Sequence, residues 1–246
     1  MRRFGFVCEQ IHACYPPTPG SAVIDTGMQT PLCRGPEFQV VSSTLARLCI
    51  TEQHGLRRLG PLRLPALRDL LLHSNALETL EGLEGCPRVQ RLWVWGNRLK
   101  SLSGLHAQAD LRELWAQDNR LERVAGVEHL VSLQVIDVAG NPVSNLKDVQ
   151  KLAHLPRLRS VSFADPHFGP CPVVSAAGYK EFVLLSLPRL THLDGTTVGD
   201  SEREGADEVF LEQASAFETE RTARDTAFDA VLRRLAARAK SGGDAA

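Results

Sequence analysis

A pattern of apolar residues and asparagine recurs every 22 residues through the middle of the chain. Its first clear copy reads Leu67-x-x-Leu70-x-Leu72-x-x-Asn75-x-Leu77. Three further copies in the same register begin at Val89, Leu111 and Leu133. Weaker copies flank these four, beginning at Leu45 and, after a spacing of 25 residues, at Leu158. A fixed period of this kind is typical of a chain that stacks one small unit on the next.

The spacing is that of the leucine-rich repeat. Residues such as Leu70 and Leu72 alternate along a short strand and point into the coil. An asparagine side chain at the following turn can bond backbone groups that the turn leaves unpaired. Because a buried amide without such bonds costs roughly 1–3 kcal/mol, we interpret the repeated asparagines as structural: Asn75, Asn97, Asn119 and Asn141. The sequence predicts an α/β fold, a right-handed leucine-rich-repeat solenoid of about six repeats with parallel strands on its concave face.

The strand alternation also predicts which side chains face away from the coil. All three tryptophans, Trp93, Trp95 and Trp115, fall on the concave face in two adjacent repeats. Each can contribute about 150–250 Å² of surface, so together with Leu71 they would approach or exceed the patch of roughly 300–600 Å² found on a typical monomer. Tryptophan is enriched at binding hot spots. The alternative is that these aromatic rings only stack on each other along the sheet.

We therefore expect the concave face to bind a helix or loop of another protein. Charged residues of both signs frame the tryptophans, and such a rim fits a protein better than a phosphate backbone. The residues predicted to contact the partner are Leu71, His73, Arg91, Trp93, Trp95, Arg112, Trp115, Gln117, Asp118 and Asp137.

The sequence predicts three regions: residues 1–40 as an N-terminal cap, 41–200 as the repeat domain with its C-terminal cap, and 201–246 as a helix with a short tail. In the N-terminal cap, Phe38, Val40 and Val41 are expected to form the first strand. Within residues 179–195, the apolar spacing predicts a short helix that ends before Pro188, followed by a last strand. This arrangement looks like the C-terminal cap of other 22-residue repeat proteins, such as the spliceosomal A-prime protein, in which the residue matching Asp194 bonds a turn.

Residues 201–240 change in character, because they are rich in alanine, glutamate and arginine and lack proline. Apolar and arginine residues there alternate spacings of four and three, which is the pattern of a heptad seam. Such a helix either packs back on the solenoid edge or projects away to pair with a helix of a partner. In the second case the contact residues are Phe217, Phe228, Val231 and Leu235.

Composition and motifs argue against several classes of function. The 28 basic and 29 acidic side chains leave a formal net charge of −1, which argues against a broad electrostatic contact with nucleic acid or anionic lipid. No apolar run approaches the ~20 residues of a membrane span. The six cysteines form no CxxC pair, which indicates reduced thiols in an intracellular protein. No nucleotide-binding, metalloprotease or hydrolase motif is present, so we expect no enzyme activity, no cofactor and no metal.

One segment carries a more specific resemblance. The tryptophan-bearing repeats are followed by an Ala164-Asp165-Pro166 break, a helix beginning at Tyr179, and the run from Leu187 to Asp194. This order resembles the N-terminal repeat block of the leucine-rich repeat-containing protein 9 family over about two-thirds of the chain. The resemblance implies a non-catalytic scaffold in the cytoplasm and the axoneme of a cilium or flagellum, within a large axonemal assembly. The alternatives are a regulatory subunit of a phosphatase or other enzyme, and a ribonucleoprotein scaffold.

Overall fold

The computed structural model describes residues 21–24, 43–51, 56–212 and 222, with the backbone alone for residues 21–24. These residues fall in two compact units, one ending at Gly199 and the other beginning at Asp200. Among the described residues, the first unit contains a sheet of nine strands: β1 (Ser21–Ile24), β2 (Arg47–Ile50), β3 (Asp69–Leu71), β4 (Arg91–Trp93), β5 (Glu113–Trp115), β6 (Val135–Asp137), β7 (Ser160–Ser162), β10 (His192–Leu193) and β11 (Thr196–Thr197). Two further strands, β8 (Ala164–Asp165) and β9 (Gly169–Pro170), form a separate antiparallel pair.

The strands of the large sheet follow the chain from one repeat to the next. Each pairs in parallel with its neighbour as far as β10, and only β11 turns back antiparallel to β10. The register is that of the repeat, since Leu70 pairs with Leu92 and Leu92 with Leu114. These three side chains are fully buried. The structure confirms the predicted solenoid of parallel strands.

Asparagine side chains connect successive coils, as the sequence predicts. The Asn97 Nδ2 donates to the carbonyl oxygens of Leu72 and Val94 at 2.9 Å each, and its Oδ1 accepts from the Leu77 backbone N–H at 3.0 Å. The same bonds recur at Asn119 and Asn141. Each asparagine thus pairs backbone groups of its own coil and of the coil before it, and the structural interpretation is confirmed.

Opposite the sheet, turns rather than helices close most of the coils. Within the described residues, the first coil with helix there is the one after β6: α1 (Leu146–Lys151) runs into a 3₁₀ turn at Leu152–His154. Asn145 caps α1, because its side chain accepts from the Lys147 backbone N–H at 2.9 Å. In the earlier coils, apolar residues such as Leu80, Leu83, Leu102 and Leu105 are fully buried without helical backbone around them.

The C-terminal cap agrees with the sequence pattern. A 3₁₀ turn at Pro172–Ser175 leads to α2 (Tyr179–Ser186), which ends before Pro188 as predicted. Asp194 lies in the turn between β10 and β11 with a φ of 50°. Its Oδ1 accepts from the backbone N–H of Phe163 at 2.7 Å, and its Oδ2 accepts from the Tyr179 hydroxyl at 2.9 Å. The carboxylate therefore joins α2 and the last strands, which is the structural role expected of it.

At both ends of the chain, the structure tests the sequence prediction only in part. The strand β1 at Ser21–Ile24 was not predicted, and the expected strand at Phe38, Val40 and Val41 lies outside the described residues. In the second unit, residues 200–212 are helical. The predicted contact residues of the C-terminal helix, Phe217, Phe228, Val231 and Leu235, also lie outside the described residues. Where the structure describes the chain, it contains no helix long and apolar enough to span a bilayer.

Candidate protein-binding surface

Three rows of side chains point away from the coil interior, because strand residues alternate between the two faces of the sheet. The strand register gives row 1 as Arg47, Asp69, Arg91, Glu113, Val135 and Ser160. It gives row 2 as Cys49, Leu71, Trp93, Trp115, Asp137 and Ser162. Backbone hydrogen bonds just beyond the strands continue the order as row 3: His73, Trp95, Gln117 and Ala139. The three tryptophans occupy rows 2 and 3, on the outward face predicted from the sequence.

The exposure of the tryptophans differs from the sequence prediction. Trp93 is 8% exposed, whereas Trp95 and Trp115 are half-buried. The Cζ atom of Arg91 lies 6.0 Å from the Trp93 ring centroid, so the guanidinium covers part of this ring. Leu71, which the sequence adds to the apolar patch, is 6% exposed. The accessible aromatic surface therefore comes from Trp95 and Trp115, and it is smaller than the expected patch of three tryptophans and Leu71.

Trp95 is held between two other rings. Its ring lies parallel to that of His73, with an interplanar angle of 5° and a centroid distance of 4.3 Å. On another side it contacts Phe168 at a centroid distance of 5.8 Å. Trp95 therefore stacks along the sheet, as the alternative interpretation of the sequence expects, but its partner in the sheet is a histidine. These contacts fix the side chain in one orientation.

The loop that carries Phe168 leaves the regular coil at the Asp165-Pro166 break. The Asp165 Oδ1 accepts from the backbone N–H groups of His167 and Phe168, at 2.7 and 3.2 Å, which closes a tight turn between β8 and β9. The Gly140 backbone N–H donates to the Gly169 carbonyl at 3.0 Å, so this turn is docked on the preceding coil. Sequence reasoning missed the contact between Phe168 and Trp95, since it joins residues 73 positions apart outside the repeat pattern.

Charges in row 1 form a ladder across three strands. Asp69 accepts from Arg47, with Nη2–Oδ2 at 3.1 Å, and from Arg91, with Nε–Oδ1 at 2.6 Å. Asp69 is 5% exposed, and the side chain of Arg91 is 28% exposed. The ion pair orients Arg91 beside the tryptophans. Sequence reasoning missed Asp69, although the alternation of positive and negative residues at one repeat position could have indicated it.

Two polar residues of the predicted surface are almost entirely covered. Asp137 is 6% exposed, and its Oδ1 accepts from the Ala139 backbone N–H at 3.0 Å. Burial raises the pKa of the Asp137 carboxyl to about 7, and the negative charges of Asp165 and Asp194 raise it further by smaller amounts. Hydrogen bonds from Ala139 and Gln117 lower this pKa and offset part of the increase. Gln117 is 5% exposed, and among the described residues its Oε1 has no hydrogen-bond partner. Both side chains contribute little surface of their own.

Arg112 and Asp118 are exposed but lie at opposite ends of β5. Arg112 precedes the strand, where the chain enters the sheet. Asp118 follows it with a φ of 49°, where the chain leaves the sheet. The accessible members of the predicted surface are therefore Arg91, Trp95, Trp115, Arg112 and Asp118. The covered members are Leu71, His73, Trp93, Gln117 and Asp137.

The accessible side chains of the predicted surface are aromatic and charged. Within the described parts of the chain, no three histidine, cysteine or acidic side chains converge as a metal site would require. The thiols of Cys86 and Cys171 are buried, and burial raises the pKa of each to about 11, so both stay protonated at neutral pH. Aromatic rings held in place beside an oriented arginine suit contact with another macromolecule.

The stacked parallel strands and the asparagine bonds between coils define a leucine-rich-repeat protein. The chain is 37% identical over 73 residues to leucine-rich repeat-containing protein 51 of Rattus norvegicus and 36% identical over 73 residues to that of Homo sapiens. In each case the match covers 30% of this chain and 35% of the relative, so the chain spans about a third of the length of these relatives. No protein-family model matches the chain.

Two crystal structures are also similar to this chain. One is that of the Drosophila melanogaster SNF/U2A′ complex, with a TM-score of 0.47, 24% identity, and coverage of 55% of this chain and 76% of that chain. The other is an internalin, inlF, from Listeria monocytogenes, with a TM-score of 0.46, 13% identity, and coverage of 63% of this chain and 49% of that chain.

Proposed function

We propose that this protein is a non-catalytic scaffold that binds another protein on the outward face of its sheet. The observation that carries the proposal is the pair of half-buried tryptophans, Trp95 and Trp115, in adjacent coils. Large aromatic side chains whose orientation is already fixed lose little conformational entropy on binding, which makes them effective anchors. Stacked repeats commonly use the concave side of the solenoid for this purpose.

The neighbouring charges favour a protein as the partner. Arg91 is paired with Asp69 and remains partly exposed, and Asp118 lies at the far end of β5. An apolar centre with a rim of both signs is the arrangement found in protein–protein interfaces. A helix or loop of the partner would place an apolar side chain against the indole rings and polar groups against the rim.

The location we propose is the axoneme of a motile cilium or flagellum. It is supported by the resemblance of the repeat block, the Asp165-Pro166 break and the cap to the leucine-rich repeat-containing protein 9 family. Expression of a fluorescently tagged chain in multiciliated cells tests it. Signal along acetylated-tubulin-positive axonemes is expected, and signal confined to the nucleus or the cell body would contradict the location without affecting the binding surface.

The binding surface is tested by substitution of its two accessible tryptophans. In quantitative co-purification from ciliated cells, the Trp95→Ala/Trp115→Ala variant is expected to lose the proteins that the wild type retains. Val131→Ala is the control, because this residue is 52% exposed and belongs to none of the three rows. Circular dichroism establishes that both variants fold. If the tryptophan variant retains the same proteins as the control, the proposed surface is wrong.

A further inference from the structure

A second surface, separate from the three outward rows, lies where the chain enters the strands. The residues one position before row 1, from Arg68 to Arg159, and Thr191 before β10 are joined by a continuous series of backbone hydrogen bonds. The donor–acceptor pairs Gln90–Arg68, Arg112–Gln90, Gln134–Arg112 and Arg159–Gln134 each have an N···O distance of 2.8 Å, and Thr191–Arg159 has one of 2.7 Å. We name this series the strand-entry row: Arg68, Gln90, Arg112, Gln134, Arg159 and Thr191.

The strand-entry row is strongly positive. Arg68, Arg112 and Arg159 are all exposed and alternate with two glutamines. Two residues earlier, four of the six coils add more exposed charge, at Arg88, Asp110, Arg157 and Arg189. This edge thus presents six arginines and one aspartate. An excess of this size on one edge is notable in a chain whose formal net charge is −1.

The described part of the chain offers these arginines no acidic partner. No described carboxylate lies within 4.0 Å of Arg68, Arg112 or Arg159. In the adjacent row 1, Asp69 is already bonded to two other arginines. Among the six edge arginines, the side-chain bonds in the structure are those of Arg159 to the Leu158 carbonyl and of Arg189 to the Pro156 carbonyl. The guanidinium groups therefore keep donors available for an external acceptor.

The spacing of the row limits what can bind along it. Neighbouring strands of a sheet lie about 4.8 Å apart, so arginines on every second strand are separated by about 9.6 Å. A polyproline II chain rises about 3.1 Å per residue with three residues per turn, which places every third side chain on one face at intervals of about 9.3 Å. Acidic residues at every third position of such a chain would meet Arg68, Arg112 and Arg159 in turn.

The glutamines and the absence of aromatic residues in the row favour a peptide over a nucleic acid. A polyproline II backbone makes no internal hydrogen bonds, and the side chains of Gln90 and Gln134 can both donate to and accept from its peptide groups. Single-stranded nucleic acids are usually held by aromatic rings on which the bases stack, and no member of the row is aromatic. Arginine binds carboxylates through two parallel hydrogen bonds.

We propose that the strand-entry row binds an extended acidic segment of a partner protein, with Asp or Glu at every third residue in polyproline II conformation. The strand-entry row shares Arg112 with the surface predicted from the sequence but contains neither accessible tryptophan, so the two surfaces can be tested by separate substitutions. The probe is a fluorescently labelled peptide of four Glu-Pro-Pro repeats, titrated with the full-length protein and followed by fluorescence anisotropy at low and high salt.

The decisive variant is Arg68→Gln/Arg112→Gln/Arg159→Gln. Its matched control is Arg98→Gln/Arg120→Gln/Arg123→Gln, which removes the same charge from exposed arginines that lie outside the strand-entry row. The row variant is expected to weaken peptide binding by about tenfold or more, and the control by less than about twofold, since exposed ion pairs act over short distances in salt. Circular dichroism of both variants establishes that the fold is unchanged.

Three results would overturn the proposal as a whole, and a fourth would overturn its polyproline II spacing. The first is that the wild type does not bind the peptide, and the second is that both triple variants weaken binding equally, which would indicate net charge alone. The third is that a single-stranded RNA of twelve nucleotides binds more tightly than the peptide and depends on the same three arginines. A peptide of identical composition with its glutamates clustered at one end tests the spacing. If it binds as tightly as the Glu-Pro-Pro peptide, the row does not recognise acidic residues at every third position.

Discussion

At the scale of single residues, Asp137 is an acidic side chain whose surroundings disfavour its ionised form. The carboxyl lies in row 2 with 6% exposure, near the negative charges of Asp165 and Asp194. The hydrogen bond that most stabilises its ionised form comes from the Ala139 backbone N–H at 3.0 Å. Because ionisation in this position costs more than in water, the pKa is raised from 3.8 to about 7.

The raised pKa of Asp137 predicts a pH-dependent gain in stability for Asp137→Asn. Between about pH 4 and pH 7 the folded wild type retains a proton that the unfolded chain gives up, so wild-type stability falls as the pH rises through this window and is constant above it. The asparagine variant does not titrate. We expect it to be more stable than the wild type by about 1–3 kcal/mol at pH 8, with the difference vanishing near pH 4.

Urea denaturation at a series of pH values measures this difference. Asp118→Asn is the control, because Asp118 is exposed and asparagine tolerates its positive φ. A difference between Asp137→Asn and the wild type that stays the same from pH 4 to pH 8 would contradict the assignment of the raised pKa to this carboxyl.

Residue by residue, the sequence predicted the direction of side chains better than their exposure. Alternation along a strand determines the face on which Trp93, Trp95 and Trp115 lie, and this is local information. Their exposure depends on side-chain contacts: Arg91, two positions earlier in the same strand, covers Trp93, and Phe168, from the loop between β8 and β9, contacts Trp95. The contact between Phe168 and Trp95 joins positions that no repeat spacing relates, so the pattern could not indicate how far each tryptophan is covered.

At the scale of elements, the turns that close the coils are shaped by how closely successive coils approach. Gly82, Gly104 and Gly126 recur at one position of the repeat, and all three have a positive φ. At Gly126, with a φ of 90°, a Cβ atom would lie 2.7 Å from the Ser103 nitrogen and 2.9 Å from the Leu102 carbonyl carbon. The recurrence of these glycines at one repeat position thus reflects close backbone contact between successive coils.

Gly126→Ala is therefore expected to be strongly destabilising for a surface substitution. The alanine must adopt an unfavourable backbone conformation and displace the backbone of the preceding coil, and together these effects should lower the free energy of unfolding by about 2 kcal/mol or more. Thermal and urea unfolding measure the change. Gly199→Ala is the control, since its Cβ would have no atom within 4 Å. Equal stability of the two variants would show that the coils can separate at Gly126 without cost.

At the largest scale, the unit that ends at Gly199 is a stack in which each coil is in contact with its neighbours in the sequence. The repeat of Asn97, Asn119 and Asn141 made this architecture predictable, because each asparagine bonds backbone of its own coil and of the one before it. The ends of the stack were less predictable. The strand at Ser21–Ile24 pairs with β2 although the chain around it carries no repeat pattern, and its place in the sheet depends on contacts that are distant in sequence.

A linear stack predicts that the effect of a core substitution depends on its position along the solenoid. Leu114 in β5 and Leu193 in β10 are both buried, at 0% and 3% exposure, and Leu→Ala at such sites typically costs about 2–5 kcal/mol. Because repeats are coupled mainly to their nearest neighbours, Leu114→Ala should lower amide-hydrogen protection in β4, β5 and β6 together. Leu193→Ala should lower it in β7, β10 and β11 and leave β3 and β4 close to the wild type. Native-state hydrogen exchange resolves these strands individually, and a uniform loss of protection from β3 to β11 in Leu193→Ala would mean that the stack unfolds as a single cooperative unit instead.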